Sequence, residues 1–131
     1  MKVILTGCCT GGHIYPALAI GDKFREKNPD NEVIYVAHQY GLETKIVPAA
    51  GYELKIVTAQ WFDRSNPVRL IKTVAETLKG RSEAYKIMKQ FKPDVLMSTG
   101  SFVSVPVVLA AAKAGVPVFI HEQNAFPGIS N

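Results

Sequence analysis

The decisive stretch lies at the N-terminus, where Lys2-Val-Ile-Leu-Thr6 is followed at once by Gly7-Cys-Cys-Thr-Gly-Gly-His13 and Ile14-Tyr-Pro16. The first segment is apolar and rich in β-branched residues, which is typical of a buried parallel strand. Pro16 suits the first turn of a helix, where its missing N–H costs nothing. The apolar residues that follow recur at helical spacing. The sequence therefore predicts a strand, a glycine-rich turn and a helix, in that order.

The glycine-rich turn has two interpretations at this point. A turn that exposes backbone N–H groups at a helix N-terminus favours phosphate or another anionic ligand, but the glycines also suit a tight turn that serves packing alone. The P-loop pattern fails because His13 stands where it requires lysine. The dinucleotide-binding pattern fails because Cys9 replaces its middle glycine, and the second strand ends at His38 without an acidic residue.

Composition bounds the class of protein. The chain has 131 residues, of which 47% are hydrophobic and 20% are charged, as expected for one globular domain with a full core. Its segments are too short or too polar to span a bilayer, and Met1-Lys2 leads directly into a strand. We therefore expect no cleaved signal peptide and a cytoplasmic location.

The net charge of +4 is concentrated in one region. Eight basic and two acidic residues lie in the stretch from Arg64 to Lys92, which includes a predicted helix from Pro67 to about Phe91 with a break or kink at Gly80. Aromatic and aliphatic residues alternate with the first of these charges: Trp61, Phe62, Val68, Leu70 and Ile71. This mixture suits an anionic membrane surface, although a helix with one packed and one solvated basic face would look similar. Nucleic-acid binding would leave the glycine loops unexplained.

Strands and helices alternate along the rest of the chain. Further strands are predicted at Glu32–Ala37, Tyr52–Thr58, Asp94–Ser98 and Val116–His121, with helices at Gly41–Val47 and Val105–Ala114. This order predicts an α/β fold with a doubly wound, Rossmann-like parallel sheet of strand order 3-2-1-4-5. The loops 7–13, 99–104 and 121–128 should converge at the carboxyl ends of the strands, where such sheets bind ligands.

Four segments carry a family resemblance across residues 1–131: Thr10-Gly-Gly-His-Ile-Tyr-Pro-Ala17, Lys92-Pro-Asp-Val95, Gly100-Ser-Phe-Val-Ser-Val-Pro106 and His121-Glu-Gln-Asn-Ala-Phe-Pro-Gly-Ile-Ser-Asn131. Their order and spacing resemble the N-terminal, acceptor-side domain of the MurG family, in glycosyltransferase family 28 with the GT-B fold. Cys8, Cys9 and Val105 stand where that family commonly has glycine. The resemblance implies a second, C-terminal donor-binding domain that is absent from this chain, so we expect the chain alone to be inactive.

The implied reaction belongs to peptidoglycan synthesis, and through it to cell shape and cell division. An inverting transferase moves N-acetylglucosamine from UDP-N-acetylglucosamine (UDP-GlcNAc) to the 4-hydroxyl of undecaprenyl-pyrophosphoryl-MurNAc-pentapeptide, converting lipid I to lipid II. The implied location is peripheral, on the cytoplasmic face of the cell membrane. We expect no metal and no further cofactor. Two alternatives stay open: a related transferase for another lipid acceptor such as diacylglycerol, and a non-catalytic, membrane-recruiting subunit of a two-chain transferase.

The resemblance also suggests roles for individual residues. His13 is the candidate general base, because imidazole exchanges protons near neutral pH, although it could merely cap the loop. Candidate donor-binding residues are Thr10, Gly11, Gly12 and Asn124. Candidate acceptor-binding residues are Gly100, Ser101, Phe102, Ser104 and Glu122, of which Phe102 could be a core residue and Glu122 could bind loop backbone. His38 and His121 match no functional pattern and are predicted to be structural.

Overall fold

A computed structural model of the chain describes residues 1–8, 11–59 and 66–121. Its strands are β1 (Lys2–Thr6), β2 (Glu32–Ala37), β3 (Glu53–Ile56), β4 (Val95–Ser98) and β5 (Val118–Ile120). Its helices are α1 (Gly11–Lys27), α2 (Glu43–Ala49), α3 (Pro67–Phe91) and α4 (Ser104–Ala114). All strand pairs are parallel, and the sheet order β3-β2-β1-β4-β5 confirms the prediction.

Helices cover both faces of the sheet, which explains why the central strands have apolar residues at consecutive positions, such as Val3, Ile4 and Leu5 of β1. Side chains alternate along β1, so that Val3 and Leu5 face α1 and α2, whereas Ile4 faces α3 and α4. Each face has its own buried cluster, and neither cluster alone contains the whole of β1. The first strand therefore belongs to both layers of the core and holds the loop that follows it in a fixed position.

The first helix begins earlier than the sequence predicts. Because α1 starts at Gly11, His13 lies in its first turn and Pro16 lies in its second. Proline removes one hydrogen bond there, the bond to the carbonyl of Gly12, and this loss is small so close to a helix end. The other bounds differ from prediction by a few residues at strand and helix ends, and α2 continues through Pro48 to Ala49.

Of the break or kink predicted at Gly80, the break is wrong, because α3 runs without interruption from Pro67 to Phe91. Gly80 instead permits a close approach, since a Cβ atom there would overlap the carbonyl oxygen of Thr58. Glu83 fixes the same contact by accepting hydrogen bonds from the Thr58 N–H (3.0 Å) and hydroxyl (2.6 Å). The middle of α3 is thus attached to the chain just after β3. Within the described ranges, no helix is both long and apolar enough to cross a membrane.

A buried tyrosine connects β2 with the first glycine loop. The Tyr35 hydroxyl donates a hydrogen bond to the Gly7 carbonyl oxygen at 2.6 Å. Burial, with a smaller contribution from the nearby Glu43 carboxylate, raises the pKa of Tyr35 above its ordinary value of 10.0. The neutral hydroxyl is therefore the form that the folded chain stabilises.

The loop between β4 and α4 has a strained backbone. Gly100 and Ser101 both have positive φ angles, of 95° and 88°, a region that residues with a side chain rarely adopt. The Ser101 hydroxyl oxygen lies 2.6 Å from Cys8 Sγ, and the Ser101 carbonyl accepts a hydrogen bond from the Ser104 hydroxyl. These contacts hold Ser101 in a conformation that its own backbone disfavours.

We predict that Tyr35→Phe lowers the free energy of unfolding by about 1–3 kcal/mol at neutral pH, because the buried Gly7 carbonyl loses its donor. The raised pKa gives the sign of the pH dependence. Stability from neutral Tyr35 is fully present below the unfolded value of 10.0 and is lost as the pH rises above it. The difference between wild type and variant should therefore narrow above that pH, by up to about 1.4 kcal/mol per pH unit. Denaturant titrations of wild type and variant, repeated across this pH range, measure the difference in unfolding free energy.

The matched control is Tyr15→Phe, because Tyr15 is exposed on α1. Its unfolding free energy should stay within about 0.5 kcal/mol of wild type. If the Tyr35 and Tyr15 variants behaved alike, the hydroxyl of Tyr35 would have no stabilising role.

A second prediction concerns the left-handed backbone at Ser101. Ser101→Gly and Ser101→Ala both remove the hydroxyl, so the two variants differ mainly in backbone freedom. We expect the glycine variant to be more stable than the alanine variant by about 1 kcal/mol. Thermal and denaturant unfolding of the pair provide the measurement, and equal stability would argue against strain at this position.

Candidate functional site

The first two predicted loops meet at the carboxyl edge of β1 and β4. His13 Nδ1 lies 2.8 Å from the Thr99 carbonyl oxygen, and the Thr99 hydroxyl donates to the His13 carbonyl oxygen at 2.6 Å. The loops also approach each other at Gly7, where a Cβ atom would overlap Thr99 Oγ1. Thr99 is buried and its N–H donates to the Thr6 carbonyl, so the connection extends into the sheet. These bonds join the two loops into one rigid rim.

The contact with Thr99 determines which nitrogen of His13 is basic. A carbonyl oxygen can only accept, so Nδ1 carries the proton and Nε2 carries the lone pair of the neutral ring. His13 lies in the first turn of α1, half-buried beside the glycine loop. The arrangement supplies a fixed imidazole that can accept a proton through Nε2.

Two helix N-termini lie at this rim. Gly11 and Gly12 begin α1, and the loop containing Gly100 and Ser101 leads into α4. The first N–H groups of a helix have no partner within the helix and carry partial positive charge, which favours anionic groups of a ligand. Gly12 is exposed, whereas Gly100 is buried. The backbone at Gly12 is therefore more accessible to a ligand than the backbone at Gly100.

Side chains of the second loop take different environments. Ser104 is only 2% exposed and donates to the Ser101 carbonyl, so its hydroxyl shapes the loop. Phe102 is half-buried and packs against the core, as the alternative interpretation of this residue expects. It also contacts the His38 ring edge-on, with 5.3 Å between ring centroids. Phe102 thus has both a core face and a face toward the rim.

Part of the predicted site lies outside the described residues. This applies to Cys9, Thr10, Glu122 and Asn124, and to the aromatic and basic residues Trp61, Phe62 and Arg64. The third loop begins at the same rim, because the His121 N–H donates to the Ser98 carbonyl oxygen at 2.7 Å. The His121 side chain is exposed.

Sequence reasoning missed a cavity beside the rim. Its volume is about 550 Å³, and it lies at the carboxyl ends of β2 and β3, between the loop after β2 and helix α3. His38, Tyr40 and Phe102 line it together with residues of α3. The signal was present in the sequence, because His38 directly follows a predicted strand at the edge where such sheets bind ligands.

A second surface lies on the N-terminal half of α3. Large apolar side chains are exposed there, including Val68 (74%) and Ile71 (72%), and Leu70, Val74 and Leu78 are also accessible. Arg69 and Lys72 are exposed among them. Within the described part of the chain, no group of three or more His, Cys, Asp or Glu side chains is placed to hold a metal ion.

Comparison with known proteins matches residues 3–131 to the glycosyltransferase family 28 N-terminal domain. Curated relatives include the UDP-N-acetylglucosamine–N-acetylmuramyl-(pentapeptide) pyrophosphoryl-undecaprenol N-acetylglucosamine transferases of Clostridioides difficile and Lactococcus lactis subsp. cremoris. They are 48% and 52% identical over all 131 residues. The chain covers 32% and 37% of these two relatives, so it spans about a third of their length.

Solved structures give the same relationship. The crystal structure of Acinetobacter baumannii MurG matches 99% of the chain and is matched over 37% of its own length, with a TM-score of 0.86 and 33% identity. The Streptomyces glycosyltransferase SsfS6, complexed with thymidine diphosphate, matches 93% of the chain and is matched over 38% of its length. Its TM-score is 0.68 at 19% identity, a likeness of fold alone. The chain belongs to the glycosyltransferase family 28 N-terminal domain family.

Proposed function

We propose that the chain is the acceptor-side part of an inverting transferase that moves N-acetylglucosamine from UDP-GlcNAc to a lipid-linked N-acetylmuramyl-pentapeptide. The names of relatives 48% and 52% identical over the whole chain support this substrate pair. The observation that carries the proposal is the bond between His13 Nδ1 and the Thr99 carbonyl, which makes Nε2 the basic nitrogen at the rim.

The proposed chemistry follows from this geometry. His13 Nε2 takes the proton of the acceptor's 4-hydroxyl as its oxygen attacks the anomeric carbon, and UDP leaves with the bonding electrons. Backbone N–H groups at Gly11 and Gly12 stabilise negative charge on the donor diphosphate, together with Thr10 and Asn124. The loop containing Gly100, Ser101, Phe102 and Ser104, with Glu122, binds the acceptor. Most donor contacts come from a second domain, consistent with the third of the relatives' length that the chain covers.

We further propose that α3 attaches the protein to the cytoplasmic face of the cell membrane, where a lipid-linked acceptor is accessible. Val68, Ile71 and Val74 are exposed on the first turns of this helix, with Arg69 and Lys72 between them. Apolar side chains that insert at the headgroup level, flanked by basic residues, bind anionic bilayers by two additive effects. A helix packed against the core on its apolar side would instead have buried these residues.

Two variants of His13 separate a general base from a residue that only holds the loop. His13→Asn can still donate a hydrogen bond to the Thr99 carbonyl but has no basic nitrogen, whereas His13→Ala loses both. In the full-length enzyme we expect both variants to lower kcat by about 10²–10⁴-fold with little change in the KM for UDP-GlcNAc. Transfer of radiolabelled N-acetylglucosamine is the measurement, and near-normal turnover of His13→Asn would reduce His13 to a structural role.

The same assay discriminates the alternatives. Offering the full-length enzyme the muramyl-pentapeptide lipid and diacylglycerol in parallel identifies the acceptor by product formation. Transfer to diacylglycerol alone would replace the proposed substrate. Absence of transfer to either, with membrane binding intact, would favour a recruiting subunit.

Membrane attachment predicts that Ile71→Glu reduces co-sedimentation with anionic vesicles at low salt by about tenfold or more, because it places a charge in the apolar surface. Gln90→Glu is the matched control, since it makes the same charge change at the exposed far end of α3 and should sediment like wild type. Equal sedimentation of the two variants, or no binding of wild type at low salt, would reject the membrane surface.

A further inference from the structure

The cavity beside the rim has the size and position of a ligand site. Its volume of about 550 Å³ lies within the usual range for small-molecule pockets. Phe102 connects it to the second glycine loop, since this residue lines the cavity and follows Thr99 by three positions. Three residues of chain span at most about 10 Å. A ligand group bound in the cavity can therefore belong to the same molecule that reaches His13.

His38 is held in this cavity in an unusual way. Its ring contacts Tyr40 and Phe102 edge-on, with centroid distances of 5.4 and 5.3 Å. Its Nδ1 is buried and has no hydrogen-bond partner among the described residues. That nitrogen faces the fully buried Glu43 carboxylate, with 4.0 Å between Nδ1 and Oε1. Because Nδ1 is enclosed on the protein side, the cavity-lining atoms of His38 lie on the side of Nε2.

The charged groups of α3 limit what the cavity can hold. Glu83 is satisfied by its two hydrogen bonds to Thr58, which leaves partly buried Glu76 and exposed Lys79 as the charged groups that a ligand can meet. A diphosphate carries two or more negative charges, but it would meet a single cation, Lys79, beside the carboxylates of Glu76 and Glu83 that also line the cavity. A polyprenyl chain would meet polar and charged walls. A peptide has backbone amides, and it carries amine and carboxylate groups at its ends or on its side chains. These groups match the carboxylate of Glu76, the ammonium of Lys79 and the imidazole of His38, which lies between aromatic rings.

We propose that this cavity binds the peptide of the acceptor, with Lys79 and Glu76 meeting its charged groups and His38 Nε2 bonding to its backbone. This inference rests on the proposed function, since the relatives' names supply a muramyl sugar that carries a pentapeptide. An extended pentapeptide spans about 17 Å, enough to reach from a sugar near His13 past Phe102 into the cavity. The diphosphate and the lipid then remain outside it.

The test compares two soluble acceptors in the full-length enzyme: a short-chain lipid diphosphate of N-acetylmuramic acid with its pentapeptide, and the same compound without the peptide. Wild type should use the peptide-bearing acceptor at least tenfold better in kcat/KM. Lys79→Ala and His38→Ala should reduce this preference to about threefold or less, mainly through KM, and should leave transfer to the peptide-free acceptor unchanged. Lys86→Ala, on α3 outside the cavity lining, is the matched control and should keep the full preference.

Direct binding provides a readout besides activity. N-acetylmuramyl-pentapeptide, titrated into isotope-labelled protein, should shift the NMR signals of Gln39, Tyr40 and Thr58, which line the cavity outside the acceptor-binding loop, whereas N-acetylmuramic acid alone should not. Lys79 is exposed, so its variant tests the cavity even if His38→Ala unfolds.

The outcomes separate this inference from the proposed function. Equal use of the two acceptors by wild type, an equal effect of the cavity variants on both acceptors, or shifts caused by UDP-GlcNAc instead of the peptide would overturn the peptide site while transferase activity remained. No transfer to either acceptor would instead reject the proposed function.

Discussion

The reciprocal contact between Thr99 and His13 is the constraint on which the rim depends. One residue at the end of β4 accepts from the His13 ring and donates to the His13 main chain, and it fits only because position 7 has no side chain. β1 and β4 are neighbours in the sheet, so the register between these two strands determines where the His13 ring lies. Buried polar networks of this kind are rigid because each missing partner is costly.

Much of the fold follows from the sequence, because its signals are local or depend on general rules. The apolar strands, the alternation with helices and the preference for right-handed crossovers are sufficient for the order 3-2-1-4-5. The early start of α1 was not predictable from Pro16, since proline is tolerated wherever few helix bonds are lost. Gly80 was misinterpreted because the sequence alone does not distinguish a glycine that allows close packing from a glycine that ends a helix.

The sequence predicts where the candidate site lies but not the contacts within it. Topology brings the glycine loops to one edge, and the alternation of polar and small residues identifies them in advance. The hydrogen bond between His13 Nδ1 and the Thr99 carbonyl oxygen depends on atomic distances that the sequence does not determine. His38 was overlooked because a single histidine carries no pattern. Its environment depends on Tyr40 and Glu43, which are close to it in the sequence, and also on Phe102, which comes from a distant part of the chain.

The uninterrupted helix α3 has a geometric consequence. Its exposed apolar turn around Ile71 and its cavity-lining residue Lys79 are eight positions apart on one continuous helix, which contacts the body of the domain where Gly80 meets Thr58. At 1.5 Å per residue this separation is about 12 Å. If the first turns rest on a bilayer, the helix acts as a spacer that sets the height of the cavity above the lipid headgroups. The length of one secondary-structure element would then determine which part of a lipid-anchored molecule comes level with the histidine.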